Sequence, residues 1–200
     1  MVYKAFQETI EKTEVNKLPL KQFEGNIRIA NNTEELHKIL PLIHNEKILG
    51  FDTESRPSFK KKVSYGVSLL QLSSKTETLL IRLHKTGLSS ALINILEDPN
   101  IRKIGVAIKD DLSKLKKIRP FQPEGFIDLQ DYAEYFSIQE KSLKKLAAIV
   151  LKVKVSKAQR LSNWETENLS YAQMKYASTD SWICREIYNT LRDTEVNSIQ

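Results

Sequence analysis

One cysteine, Cys184, stands in 200 residues, so no disulfide can form within the chain and a disulfide scaffold is excluded. A lone thiol suits a reducing compartment, and we expect a cytoplasmic, intracellular protein. No apolar run approaches the ~20 residues that a membrane-spanning helix needs. The opening MVYKAFQETIEKTEVNK is interrupted by charge and lacks a continuous apolar centre, so it is not expected to act as a secretory signal. Histidine is scarce too: His37, His44 and His84 all lie away from the acidic motifs described below, and none is required for catalysis. Internal repeats, low-complexity tracts and obvious linkers are missing.

What remains is the composition of an ordinary globular domain. Hydrophobic residues make up 40% and charged residues 28%, enough to bury a core without covalent staples. We read residues 25–200 as a single domain and residues 1–24 as an N-terminal extension that wraps it or frays. The net charge is +6. That balance points to an anionic partner such as nucleic acid. Lysines gather at Lys60, Lys61 and Lys62, at Lys114, Lys116 and Lys117, and at Lys152, Lys154 and Lys157 with Arg160. Each group alone is also what a solvated surface looks like.

Strands are predicted at 26–30, 48–54, 66–74, 77–83 and 101–108. Short links between the second, third and fourth favour an antiparallel meander. Helices are predicted over LHKILPLI (36–43), with Asn32 and Glu35 as the capping pair before it, and at 91–98, 111–118, 127–136, 142–152 and about 171–194. Pro41 ends or kinks the first of these, and Ser170 with Gln173 caps the last. A meander followed by alternating strand and helix gives an α/β fold with a mixed sheet, antiparallel and parallel, flanked by helices.

The stretch ILGFDTE begins as a buried strand and ends on acids. Residues two apart share one face of a strand, so Asp52 and Glu54 project together. Two carboxylates that close repel one another, and a divalent cation relieves the repulsion. A strand simply running into solvent would look the same. In KIGVAIKDDLSKL, Asp110 and Asp111 fall at a strand-to-helix junction, where open α/β sheets place ligands. Asp110 reads as the helix N-cap, which leaves Asp111 for another role. In YAQMKYASTD, Tyr176 and Asp180 are four apart and share a helix face. Asp180 lies among small and apolar residues, so it either has a partner or turns to water. Asp128 reads as a helix cap. Trp164 either anchors its loop or stacks a base.

Taken in order, D-x-E ending a strand, Asp at a strand-to-helix junction and Y-x-x-x-D on a C-terminal helix resemble the DEDD superfamily of 3′–5′ exonucleases. The tyrosine type is the one matched, since Lys175 stands where the histidine type has His. Three stretches are most similar to the ribonuclease D and Werner branch: FDTESRP…VSLLQLS, KIGVAIKDDLSKL…FIDLQDYAE and RLSNWETENLSYAQMKYASTDSWICREIY. Ser55 and Ser113 depart from it, because Werner exonucleases place an aromatic residue near those positions.

The resemblance implies a ribonuclease H-like fold and a metal-dependent 3′–5′ exonuclease that releases nucleoside 5′-monophosphates, with DNA favoured over RNA. It implies two divalent cations, Mg²⁺ or Mn²⁺, held by Asp52, Glu54, Asp111 and Asp180. Asp52 would bridge both ions, Glu54 and Asp180 would complete the site beside the attacking water, and Asp111 would lie near the leaving oxygen. Tyr176 would orient that water, being a poor base at an ordinary pKa near 10. The implied partner is nucleic acid with a free 3′ end, with no organic cofactor and no membrane. Substrate contacts are expected from Thr53, Lys60, Lys61, Lys157, Arg160 and Trp164. Two other functions fit less of the pattern: a non-catalytic nucleic-acid-binding module of the same fold, and a basic α/β domain whose acids are scattered.

Overall fold

Alternation of buried side chains builds the sheet, which in the computed structural model is described together with the rest of residues 6–58 and 65–197. Six strands lie in the order β1-β4-β3-β2-β5-β6. They are β1 (Asn26–Ala30), β2 (Ile48–Ser55), β3 (Val67–Ser73), β4 (Glu77–Ile81), β5 (Arg102–Gly105) and β6 (Phe126–Asp128). β2, β3 and β4 form the antiparallel meander, while β1 joins β4, β5 joins β2 and β6 joins β5 in parallel. The fold is therefore α/β with a mixed sheet.

Each face of the sheet carries its own core. Leu49 and Phe51 of β2 and Leu70 and Leu72 of β3 point to one side. There they meet α2 (Thr33–Ile39), α4 (Ser90–Glu97) and α5 (Ile108–Ile118) through Leu36, Leu92, Leu96 and Leu115. The other side packs against α7 (Leu143–Leu151) and the long α8 (Tyr171–Asn197). Two shorter helices, α3 (Leu83–Thr86) and α6 (Leu129–Tyr132), complete the connections after α1 (Lys12–Lys17). Asn32 accepts from the Glu35 amide to start α2, and Ser170 and Gln173 cap each other reciprocally before α8, as their spacing predicts.

Three elements differ from the sequence expectation. The predicted 101–108 strand stops at Gly105, because the chain turns at Ala107, whose φ is +56°. α5 consequently starts at Ile108, and Asp110 sits inside its first turn rather than capping it. The predicted 127–136 helix begins as β6, since parallel pairing with β5 outweighs the local helical pattern. The N-terminal residues pack into the domain. Phe23 is buried on Trp182 with ring centroids 5.8 Å apart, its amide donates to Thr179, and Leu20 bridges Lys154. Among the described residues no helix is long and apolar enough to cross a membrane.

The tightest contact is between β2 and α8. A Cβ on Gly50 would lie 1.9 Å from the Ser181 carbonyl oxygen, so only glycine lets the two backbones meet. Ser181 and Ser73 hydroxyls bond at 2.6 Å beside that contact. Replacing Gly50 by Ala should lower stability by about 3 kcal/mol, the upper end of overpacking costs. The same change at Gly66, where a Cβ would meet nothing, should leave the urea midpoint near wild type. Equal midpoints for the two variants would show that α8 has room to retreat.

Candidate active site

β2 presents Asp52 and Glu54 on the side that faces α8, two residues beyond Gly50. A bulge between Glu54 and Ser55 ends regular pairing with β3 just past these acids. α8 crosses above them and contributes Asp180, one residue before the Ser181 contact. Carboxylate oxygens of Asp52, Glu54 and Asp180 lie within 4.8 Å of one another. One turn earlier on α8, the Tyr176 hydroxyl stands beside the Asp180 carboxylate. The Tyr176 ring is itself held against Trp164, with centroids 6.1 Å apart.

Asp111 arrives from the opposite layer. Thr53 points away from α8, and its hydroxyl donates to Asp111 Oδ1 at 2.6 Å. Asp128 fixes the helix that carries Asp111: its carboxylate accepts from the amides of Ala107 at 3.1 Å and Ile108 at 3.0 Å, and from Gln130 at 2.9 Å. Asp128 is thus the cap of α6 that the sequence suggests, and it also steadies the left-handed turn before α5. Its negative charge lies at the amide end of both helices, where the helix dipoles favour it.

A family model described as 3′–5′ exonuclease matches residues 27–194. The chain belongs to that family. Its tyrosine-type acidic motifs place it with ribonuclease D and the Werner exonucleases. A putative 3′–5′ exonuclease of Acanthamoeba polyphaga mimivirus is 32% identical over 204 residues, covering 91% of this chain and 50% of the relative. The mouse bifunctional 3′–5′ exonuclease/ATP-dependent helicase WRN is 29% identical over 187 residues, covering 88% of this chain and 13% of the relative. The chain therefore spans half or less of these two relatives. The crystal structure of Escherichia coli RNase D aligns with a TM-score of 0.76 at 22% identity, over 86% of this chain and 46% of that one, and shows the shared ribonuclease H-like fold.

In this exonuclease domain the acids are half-buried with too little positive charge beside them. Burial, then the charges of Glu54, Asp180 and Asp111, hold the Asp52 carboxyl well above its ordinary range. Burial followed by Asp180 and Asp111 pushes Glu54 up to about 8. Burial pushes Asp180 up to about 7, against the Tyr176 hydrogen bond and Lys157. Asp111 is raised by burial, against the Thr53 hydrogen bond and Lys114. Opposite Asp52 on β3 lies Gln71, whose buried side-chain amide has no hydrogen-bond partner. A cluster of half-buried, mutually repelling carboxylate oxygen donors fits a hard divalent cation.

The other predicted contacts divide. Trp164 is fully buried in a cluster with Leu69, Leu80 and Tyr176, so it cannot stack a base; the apolar underside of α8 has captured it. Thr53 spends its hydroxyl on Asp111. Lys157 is exposed and its charge reaches Asp180, while Arg160 is exposed one turn on. Lys60, Lys61 and Lys62 lie outside the described residues. Sequence reading overlooked Gly50, Gln71 and Lys114 at this site. Gly50 carried a signal, being the one glycine within the β2 run.

Each raised carboxyl binds its proton more tightly folded than unfolded, so the folded chain holds more protons between about pH 4 and 8. Stability without metal should therefore fall as pH rises through that window, by on the order of a few kcal/mol. Thermal unfolding in EDTA at pH 5 and pH 8 measures the loss. Saturating Mg²⁺ or Mn²⁺ should raise Tm more at pH 8 than at pH 5, because binding competes with protons. A Tm gain that is flat with pH would count against ion binding by these carboxyls.

Proposed function

We propose that this chain is a metal-dependent 3′–5′ exonuclease. Water attacks the phosphorus of the last internucleotide bond, the bond from phosphorus to the 3′ oxygen of the preceding nucleotide breaks, and a nucleoside 5′-monophosphate leaves with a new 3′ hydroxyl behind it. The observation that carries the reading is the convergence of Asp52, Glu54 and Asp180 within 4.8 Å, with Tyr176 one turn before the third on α8. Family membership supports the reaction class. DNA is favoured over RNA as substrate on the likeness to the Werner branch.

Asp52, Glu54 and Asp180, with Asp111, would hold two divalent cations, Mg²⁺ or Mn²⁺. Bound there, such ions activate water and offset the charge that grows on the attacking and leaving oxygens. The chain's own residues prepare that chemistry. Burial and the neighbouring carboxylates hold the Tyr176 hydroxyl well above its ordinary pKa, so it stays protonated and donates. It therefore positions Asp180 and the water beside it and does not serve as a base. Trp164 supports Tyr176 from below. Thr53 fixes one oxygen of Asp111 and leaves the other available. Lys157 and Arg160 attract the phosphate chain to the rim.

A 5′-labelled single strand should shorten stepwise with Mg²⁺ or Mn²⁺ and stay intact in EDTA. Asp52→Ala should reduce the rate by at least about 10³-fold. Tyr176→Phe keeps the packing on Trp164 but loses the hydroxyl, and about 10²-fold is expected, as for loss of one positioned hydrogen-bond donor. Strands of DNA and RNA left full length by both metals, yet still bound in a salt-sensitive manner, would replace the nuclease by a non-catalytic nucleic-acid-binding module.

A further inference from the structure

Beyond the acidic centre, a second charged feature lies where the N-terminal segment meets α7. A cleft of about 300 Å³ is lined by Lys12, Val15, Ser142, Lys144, Lys145 and Lys157. The four lysines come from three places far apart in sequence: α1, the first turn of α7 and the polar loop before α8. Like charges gathered from separate segments repel, and folding assembles them only because Val15, 1% exposed, anchors α1 in the core of that layer. Glu140 pairs with Lys145 at 2.7 Å. Among the described residues Lys144 reaches the neutral side chain of Asn16, at 3.4 Å. Ser142 caps α7 by accepting from the Lys145 amide, so the amide end of a nine-residue helix faces the same space. Its dipole adds to the positive field.

This cleft is joined to the acidic centre. Lys157 lines it while its charge acts on Asp180. Residues on either side of Lys157, Ser156 and Ala158, line a second cleft of about 280 Å³ together with Lys175, Tyr176 and Asp180. The loop around Lys157 is thus the partition between a space that opens on the acids and a space walled by lysine. Lys12 falls outside residues 27–194, the part that the exonuclease family model matches.

We propose that the lysine cleft holds backbone phosphates of the nucleic-acid strand on the 5′ side of the terminal nucleotide. The inference rests on the exonuclease reading of the acidic centre. An anion there leaves the 3′ end free to reach Asp180 past the partition, and a chain of phosphates is the anion that can occupy both spaces at once. The cleft then contributes affinity that grows with strand length, without touching the bond that breaks.

The test is the ratio of affinities for a twenty-nucleotide and a three-nucleotide strand, both protected at the 3′ end by phosphorothioate linkages and measured by fluorescence anisotropy in Mg²⁺. Lys12→Gln with Lys144→Gln should lower that ratio on the order of tenfold at 0.1 M salt. The slope of log affinity against log salt for the long strand should fall by about 1.4, at ~0.7 per neutralised phosphate on a single strand. Lys116→Gln with Lys117→Gln removes the same net charge from exposed positions on α5 and should leave the ratio near wild type. An unchanged ratio in the first pair overturns the proposal, as does an equal fall in both pairs, which would mean net charge alone. Equal weakening of long and short strands places the lysines at the terminal nucleotide and also overturns it. Failure of the exonuclease reading is separate: wild-type protein would then trim no unprotected strand of either length.

Discussion

Everything at the site depends on how closely α8 can approach β2. Two acids from a strand and one from a helix reach a common point only if the backbones touch, and they touch where Gly50 meets the Ser181 carbonyl. Small residues at Ala177, Ser178, Ser181 and Cys184 keep that side of α8 flat, and all four are buried. The Ser73 hydroxyl, bonded to both Thr78 and Ser181, fixes the height of the helix over the sheet. With the height set, Asp180 follows one residue before the contact and Tyr176 one turn before Asp180. A larger residue at Gly50 would move both together, so geometry and packing are a single constraint here.

The same closeness has an electrostatic cost. Asp52 and Glu54 share a face because strand geometry requires it, and α8 adds a third carboxylate to the same half-buried space. Lys157 and Lys114 moderate the field but form no ion pair with these acids among the described residues. The fold tolerates the repulsion by holding protons or by binding cations. Burial that destabilises the ionised cluster is therefore the same property that gives it affinity for a divalent ion. Natural proteins accept such local conflict where chemistry is carried out.

Much of this arrangement could be read before any coordinates. Alternation in ILGFDTE places its two acids on one face, and the four-residue spacing of Tyr176 and Asp180 places them on one side of α8; local periodicity decides both. Apolar runs gave the meander for the same reason. Long-range pairing decides what could not be read. β6 has three residues and exists because β5 lies beside it. Asp110 sits in a capping position by spacing, yet the turn at Ala107 starts the helix earlier and hands the capping work to Asp128, twenty residues on. Trp164 reads equally as a base platform or an anchor, and only the hollow formed by Leu69, Leu80 and Tyr176 selects the second.

The N-terminal residues show how a local reading of weak periodicity can hide a structural role. Their hydrogen bonds are spent on the layer that contains the site. The Phe23 amide donates to Thr179 and its carbonyl accepts from Lys175, two residues of α8 that flank Tyr176 and Asp180. Lys21 donates to the Lys154 carbonyl, and the Lys154 amide donates to Pro19, so the same segment holds the start of the polar loop that carries Lys157. One strap therefore braces α8 on one side and the loop that carries Lys157 on the other. Removing it would uncover Trp182, on which Phe23 packs, and take away the bonds that Thr179 and Lys175 make with Phe23. The strap lies largely outside the family match, yet this fold relies on it to keep acids and lysines in register.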